Sequence, residues 1–189
     1  MMTSTSIQPL RPFEFRISNE SSRRYDLQVL GFKGTEQISQ PFSFDISLVS
    51  ECSNLPLGKL LHSLAYLAFD RHGAGIHGQI NRVARGETGS RLTHYTVTLV
   101  PRIDYLRHRV NTRIFQHLSV PQIVAQVLAE NGIFSSEYQF ALDKTNYPPR
   151  NYCTQYNESD LQLVQRLCAQ EGIHFHFRHD QDGPMTVSG

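Results

Sequence analysis

No apolar run in this sequence approaches the roughly 20 residues that a membrane-crossing helix needs, so the chain is read as having no membrane-spanning segment. Charge of one sign is equally scarce. Eighteen Lys and Arg nearly balance 17 Asp and Glu, for a net charge of +1. No basic excess points to nucleic acid, and no acidic tail forms a solvating arm. Cysteine is sparse: Cys52, Cys153 and Cys168 are an odd number without a C-x-x-C pair. That pattern argues against a disulfide framework and for a reducing compartment, with each thiol a small, buried or half-buried side chain. The N-terminus, Met-Met-Thr-Ser-Thr-Ser-Ile-Gln-Pro-Leu, has no basic leader and no apolar core, which predicts synthesis in the cytoplasm without a signal peptide. Internal repeats and low-complexity tracts are absent, as are H-E-x-x-H and G-x-S-x-G.

What is present is strand-like over the first two thirds. Residues 1–12 are polar, contain Pro9 and Pro12, and are expected to form a flexible lead-in. Phe13 to Ile17 alternates apolar and polar residues, the period of a strand with one buried face. Arg24 to Phe32 alternates through Tyr25, Leu27 and Val29, and Phe42, Phe44, Ile46 and Leu48 form another such row. Lys33-Gly-Thr-Glu36 between them predicts a hairpin turn at glycine. Leu57 to Ser63 reads as a short helical turn after Pro56. Three further strands are predicted at Leu64–Phe69, Gly78–Ala84 and Arg91–Val100, with a turn at 86–89. Short strands at close spacing with turn signals predict an antiparallel barrel or sandwich.

Near residue 116 the period changes. Ser119-Val-Pro-Gln122 combines an N-cap serine, an early proline and a capping-box glutamine. Ile123, Val124, Val127 and Leu128 make one helical stripe, which Gly132 ends. The same grammar returns later: Asn157 or Ser159 caps, Leu161, Val164, Leu167 and Cys168 form the stripe, and Gly172 stops it. Ile173-His-Phe-His-Phe177 then alternates as a strand. The fold class is therefore mainly β with α+β: a β-rich N-terminal unit over 13–115, followed by an α+β segment over 116–189.

Four groups of residues invite a chemical reading. Gly73-Ala-Gly-Ile-His-Gly78 fits G-x-G-x-x-G, but a strand-like stretch follows where a dinucleotide site requires a helix. A glycine-rich entry to a strand is the better reading. His174 and His176 share one strand face, and with Cys168, His179 or Asp180 they would make the metal edge of a metal-dependent hydrolase. Against this, Ile173, Phe175 and Phe177 take the opposite face, which leaves the histidines where an exposed polar row belongs. Glu158, Asp160 and Glu171 would form an acid/base set, yet Glu158 and Asp160 fall in a helical first turn, where carboxylates favour the free N–H groups. Arg102, Arg107, Arg109 and Arg113, with Tyr105 and Phe115 between them, read either as a surface for an anionic partner or as outward-facing strand charges. No residue is assigned as catalytic, cofactor-binding or metal-ligating, no cofactor is expected, and the chain is read as a non-enzyme.

The order of segments nevertheless resembles a known family. Residues 24–48, Ile76-His-Gly-Gln-Ile80 followed by Tyr95–Pro101, and Arg113–Ile123 each resemble stretches of the VgrG spike proteins of type VI secretion systems. So do Tyr147–Leu161 and Arg166–Phe177, the most specific of the matches. The resemblance covers about residues 13–187. It implies a fold like the hub of contractile phage baseplates, in which barrels from three chains form a pseudo-sixfold ring, so that 13–115 is expected to be an antiparallel β-barrel hub domain and 116–189 an incomplete α+β second domain. It also implies a homotrimer that caps the Hcp tube hexamer at the centre of the baseplate, contacts baseplate proteins and carries secreted effectors. Such a chain is cytoplasmic before firing and leaves through the type VI apparatus without a signal peptide. A contractile phage tail hub is the alternative, since both machines need the same ring. Family members continue beyond this length into a second barrel, an OB-like neck and a β-helical needle. A chain that stops at Gly189 is thus expected to be a fragment or a truncated product, with no puncturing or toxin activity to assign.

Overall fold

A computed structural model describes residues 13–18, 25–70, 74–142, 147–179 and 186–188. The lead-in over 1–12, Arg24, Gly73 and Asp180 lie outside these residues.

Six strands form one antiparallel sheet: β1 (Glu14–Ile17), β2 (Gln28–Gln37), β3 (Gln40–Ser50), β4 (Leu64–Ala68), β5 (Gly75–Thr88) and β6 (Thr93–Val100). A single helical turn, α1 (Leu57–Leu60), joins β3 to β4. The strand order is β1-β4-β5-β6-β3-β2. Period-2 burial drives the assembly, because alternate side chains of a strand share a face. Phe42, Phe44, Ile46 and Leu48 of β3 are buried beside Tyr95, Val97 and Leu99 of β6. The sheet curls until its edge strands approach, so that the Phe13 and Phe32 rings meet at 5.1 Å and Phe32 stacks on Phe69 at 5.2 Å. Aromatic packing, without a β1–β2 ladder among the described residues, closes this side, giving the barrel region the form of a curled half-barrel.

The β2–β3 hairpin turns at Ile38–Ser39 and not at Lys33–Glu36. Gly34 continues the strand opposite Phe44, where a Cβ would stand 2.3 Å from the ring. Glycine is there for close approach, and the turn falls where Ser39 takes a φ of 60°.

After a 3₁₀ segment (Arg102–His108) the pairing partners change. β7 (Val110–Leu118) pairs antiparallel with β9 (Arg150–Ser159) as a separate two-stranded ribbon, and α2 (Val120–Glu130) and α3 (Asp160–Gln170) follow the two strands. A small sheet combines β8 (Tyr138–Gln139), β10 (His176–Arg178) and β11 (Thr186–Ser188). Both helices open with a serine and a glutamine three residues on. The Gln122 and Gln162 side chains each accept a hydrogen bond at 2.8 Å from the backbone N–H of Ser119 and Ser159. Both close at glycine, with φ of 75° at Gly132 and 68° at Gly172. Ser159, and not Asn157, is the cap of α3. The strand expected over 173–177 is hydrogen-bonded as a strand only from His176, although burial alternates from Ile173 onward.

The hairpin tip fastens the half-barrel to this second part. Ser39 donates its N–H to the Phe175 carbonyl at 2.8 Å, and Gln165 donates to the Ser39 carbonyl at 3.0 Å. One hydrophobic cluster runs through both parts.

Candidate interaction surface

The second part is organised around one buried carboxylate. Asp160, the first residue of α3, is fully buried. It accepts hydrogen bonds of 2.9 Å from each of Asn111, Asn131 and Gln155, and Arg113 approaches at 3.3 Å. Arg109 stands 3.6 Å away. These groups belong to β7 and the residue before it, the end of α2, and β9, so Asp160 ties the ribbon to both helices. Burial alone would raise its carboxyl, but the hydrogen bonds from Gln155, Asn131 and Asn111 and the Arg113 charge outweigh it, holding the group below its ordinary 3.8. A carboxylate whose lone pairs are already taken up by donors is a structural anchor, not a proton acceptor for a substrate.

The other members of the conjectured acid/base set are paired elsewhere: Glu158 with Arg166, and Glu171 with Arg150. The arginine concentration is consumed internally as well. Arg102 pairs with Glu137, Arg107 with Asp104, and Arg109 and Arg113 share Glu130. Arg113 also lies 4.8 Å over the Phe115 ring. These arginines are engaged within the fold: Arg109 and Arg113 clamp the ribbon to α2 and α3, Arg102 holds the segment that follows α2, and Arg107 pairs within the 3₁₀ segment.

His174 and His176 are exposed, and Cys168 is buried on the apolar stripe of α3. Burial pushes the Cys168 thiol up to about 11, which keeps it protonated and a poor ligand. Among the described residues no three His, Cys, Asp or Glu side chains come together as a metal site. The glycine-rich stretch runs directly into β5. A Cβ at Gly75 would stand 2.4 Å from the Leu67 carbonyl across the ladder, so strand pairing accounts for that glycine.

His179 does something that its sequence context did not signal. It joins the second part to the half-barrel by accepting, at Nδ1, the backbone N–H of His77 at 3.1 Å. Its Nε2 faces Glu36 at 3.5 Å, and its ring packs on Phe42 at 5.3 Å. Burial is the main cause lowering its pKa below the ordinary 6.5; Glu36 opposes this, and the charge of the His77 ring adds to it. Protonation would place a second N–H at Nδ1 and oppose the His77 donor. Because the folded state disfavours the proton, this contribution is whole above pH 6.5 and declines as pH falls from there towards the folded pKa. His179→Gln is expected to flatten the loss of stability between pH 7.5 and 5.5 in urea titrations. An unchanged slope would remove His179 as its source.

Two surface features remain. On the outward face of the half-barrel, Lys33, Asp45, Thr98 and Arg82 fall in one cross-strand row. They border a shallow trough of about 560 Å³. Thr98 donates to Asp45 at 2.7 Å, while Lys33 and Arg82 make no ion pair among the described residues. The second feature is the outward face of the β7–β9 ribbon. Its inward face buries Phe115, Cys153 and Gln155, which leaves Val110 and Ile114 57% and 63% exposed, and Tyr152 and Tyr156 71% and 77% exposed. The polarity of β9 is inverted: a glutamine is buried while two tyrosines face solvent. An exposed aromatic patch of this kind is a mark of an interaction surface.

Comparison with known proteins bears on what such a surface serves. The family model described as phage tail baseplate hub (GPD) matches residues 35–188. The type VI secretion system spike protein VgrG4b of Pseudomonas aeruginosa is 55% identical over 166 residues, 88% of this chain and 20% of that protein. VgrG5 of the same organism is 50% identical over 177 residues, 94% of this chain and 22% of the relative. The chain thus spans about a fifth of the length of these relatives. Among solved structures, the E. coli c3393 protein, a type VI secretion component with structural similarity to the T4 tail proteins gp27 and gp5, superposes with a TM-score of 0.84 at 28% identity. That match covers 93% of this chain and 48% of that one. A 43 kDa prophage MuSo2 tail protein from Shewanella oneidensis shares the fold, with a TM-score of 0.65 at 13% identity, covering 93% of this chain and 52% of that protein.

Proposed function

Since the chain belongs to the phage tail baseplate hub (GPD) family, we propose that it is the hub region of a type VI secretion spike, a structural and non-enzymatic part. In this reading three copies assemble, cap the hexameric Hcp tube at the centre of the baseplate, and travel outward with effectors through the type VI apparatus. The half-barrel, assigned to residues 13–115, supplies the ring, and the α+β part over 116–189 lies outside it. The pairing of β7 with β9 supports a junction a few residues earlier, in the 3₁₀ segment before Val110. The observation that carries the proposal is the identity of more than half of the aligned residues to a spike protein along nearly the whole chain. Likeness to the solved MuSo2 tail protein, at 13% identity, is of fold alone, whereas the spike proteins are alike in sequence over nearly the whole chain, so the phage hub ranks second. Two features of the molecule agree with a structural role: saturated carboxylates and an open, uncharged surface. No described helix is long and apolar enough to cross a membrane.

The test is capture of purified Hcp hexamers from the same bacterium by the immobilised chain. Retention of Hcp above a tag-only control is expected. Hcp that passes through unretained removes the capping role.

A further inference from the structure

We propose that the trough on the outward face of the half-barrel is a docking site for an extended acidic segment of a partner protein. The segment lies across the strands, with carboxylates at its positions i and i+4 and a hydrogen-bond donor at i+2. This use of the trough goes beyond the hub reading and does not depend on it.

Two neighbouring rows of side chains shape the trough. Lys33, Asp45, Thr98 and Arg82 form one, crossing β2, β3, β6 and β5 in that order. Gly31, Ser47, Thr96 and Ala84 form the next, two residues along each strand. The second row is low because its side chains are small, and a Cβ added at Gly31 would meet nothing within 4 Å. Such a floor admits a backbone. Ser47 and Thr96 are exposed, so their hydroxyls can both donate to that backbone and accept from it.

The charged row complements a chain laid on that floor. Lys33 and Arg82 are exposed, and neither makes an ion pair among the described residues. Arg102, Arg107, Arg109 and Arg113, by contrast, each have a carboxylate partner within the chain. Asp45 stands between the two free cations. Thr98 donates to its Oδ1 at 2.7 Å, and its Oδ2 accepts from no described residue. The charge order along the row is therefore plus, minus, plus. A single anion held midway between the cations would meet Asp45, so one lone phosphate or carboxylate is opposed. Lys33 and Arg82 lie three strand spacings apart, about 14 Å. Residues i and i+4 of an extended segment point to one side and stand about 13 Å apart. A segment running along the floor thus brings one carboxylate to Lys33 and the other to Arg82, with the i+2 side chain at Asp45. Lysine, serine or threonine at i+2 supplies the donor that the open carboxylate oxygen takes. The same order rejects wrong partners: a basic segment meets two like charges, and a uniformly anionic polymer meets Asp45.

The experiment is an amide NMR titration of the chain with three capped peptides: Glu-Val-Lys-Val-Glu, its scramble Glu-Glu-Val-Val-Lys, and the charge-reversed Lys-Val-Glu-Val-Lys. The first is expected to shift amides around Lys33, Ser47, Thr96 and Arg82. It should bind about tenfold more tightly than the other two, the discrimination that two exposed ion pairs provide. Lys33→Gln/Arg82→Gln is expected to abolish the preference, and Lys59→Glu on α1 to leave it unchanged. Lys33→Glu/Asp45→Lys/Arg82→Glu is expected to transfer the preference to the charge-reversed peptide, a gain that misfolding cannot produce. Because Lys33 and Arg82 are exposed, the glutamine variant should melt near wild type. Equal binding of the three peptides, no shift of the wild type, or wild-type affinity in the glutamine variant overturns the site. Tighter binding of a thymidine oligonucleotide than of the first peptide overturns it too, since the row would then serve a polyanion.

Discussion

Replacing Asp160 with alanine is expected to lower the unfolding free energy by about 3–5 kcal/mol, the range for removing one partner from a buried charged network. The loss exceeds that of a single hydrogen bond because the donors remain. Asn111, Asn131 and Gln155 each lose an acceptor now held at 2.9 Å, and Arg113 loses its second carboxylate. Left buried and unsatisfied, each such group costs about 1–3 kcal/mol. With a urea m-value of about 1–3 kcal/mol/M, the midpoint should fall by at least ~1 M. Glu51→Ala is the contrasting variant. Its pair with Arg91 is widely exposed, and surface pairs contribute about 0–1 kcal/mol. Acid should act on the same group. Since Asp160 is held below its ordinary 3.8, its contribution is complete above that value and is lost as pH falls through the folded pKa. Equal midpoint shifts for the two variants would mean that the network is solvated and does not hold β7, β9 and the helices together.

That network also marks where sequence reading succeeds and where it stops. Local rules are enough for the capped ends of α2 and α3, because a serine cap, a glutamine box and a terminal glycine act within a few residues. They are enough for β3 and β6 too, where alternation of Phe42 to Leu48 and of Tyr95 to Leu99 states the buried face directly. The hairpin turn was misplaced because glycine has two uses, sharp turns and close approach, and only the position of the Phe44 ring decides between them at Gly34. The ribbon is a harder case. β7 and β9 are separated by some 30 residues, and their pairing depends on partners that no local window contains. On β9 the usual sign of hydropathy is reversed: Gln155 goes inside because Asp160 and Arg113 bind it, and Tyr152 and Tyr156 are left out. A pattern reader would have buried the tyrosines. The arginines between 102 and 113 look like surface charges in sequence for the same reason, since their acids lie 17 to 51 positions away except at Asp104. An inverted strand beside a cluster of arginines and amides is the signal that could have exposed both errors.

Phe42→Ala is expected to cost about 3–5 kcal/mol, the range for removing a buried aromatic ring and leaving a cavity. The position is more demanding than burial alone suggests. Phe42 lies on β3 and is fully buried, with its ring edge-on to Phe44 at 5.9 Å, to Phe177 at 5.1 Å and near the His179 ring at 5.3 Å. One side of the ring therefore belongs to the half-barrel, and the other to the segment that follows α3. Beside it the Ser39 tip binds Phe175, so the cavity would open next to the backbone bonds that join the two parts. Collapse of the surroundings onto the gap is hindered, because Phe44 is already wedged against Gly34 without room for a Cβ. Phe134→Ala provides the comparison: that ring is 60% exposed and its removal should stay within about 0.5 kcal/mol. If the two parts share a core, Phe42→Ala shifts a single cooperative transition, and amide exchange accelerates both on β3 and at Phe177. If exchange rises on one side only, the parts fold independently and the joint seen here is a contact between two separately stable bodies. For a hub that must transmit force from a contracting machine, the cooperative outcome is the one that the proposed role requires.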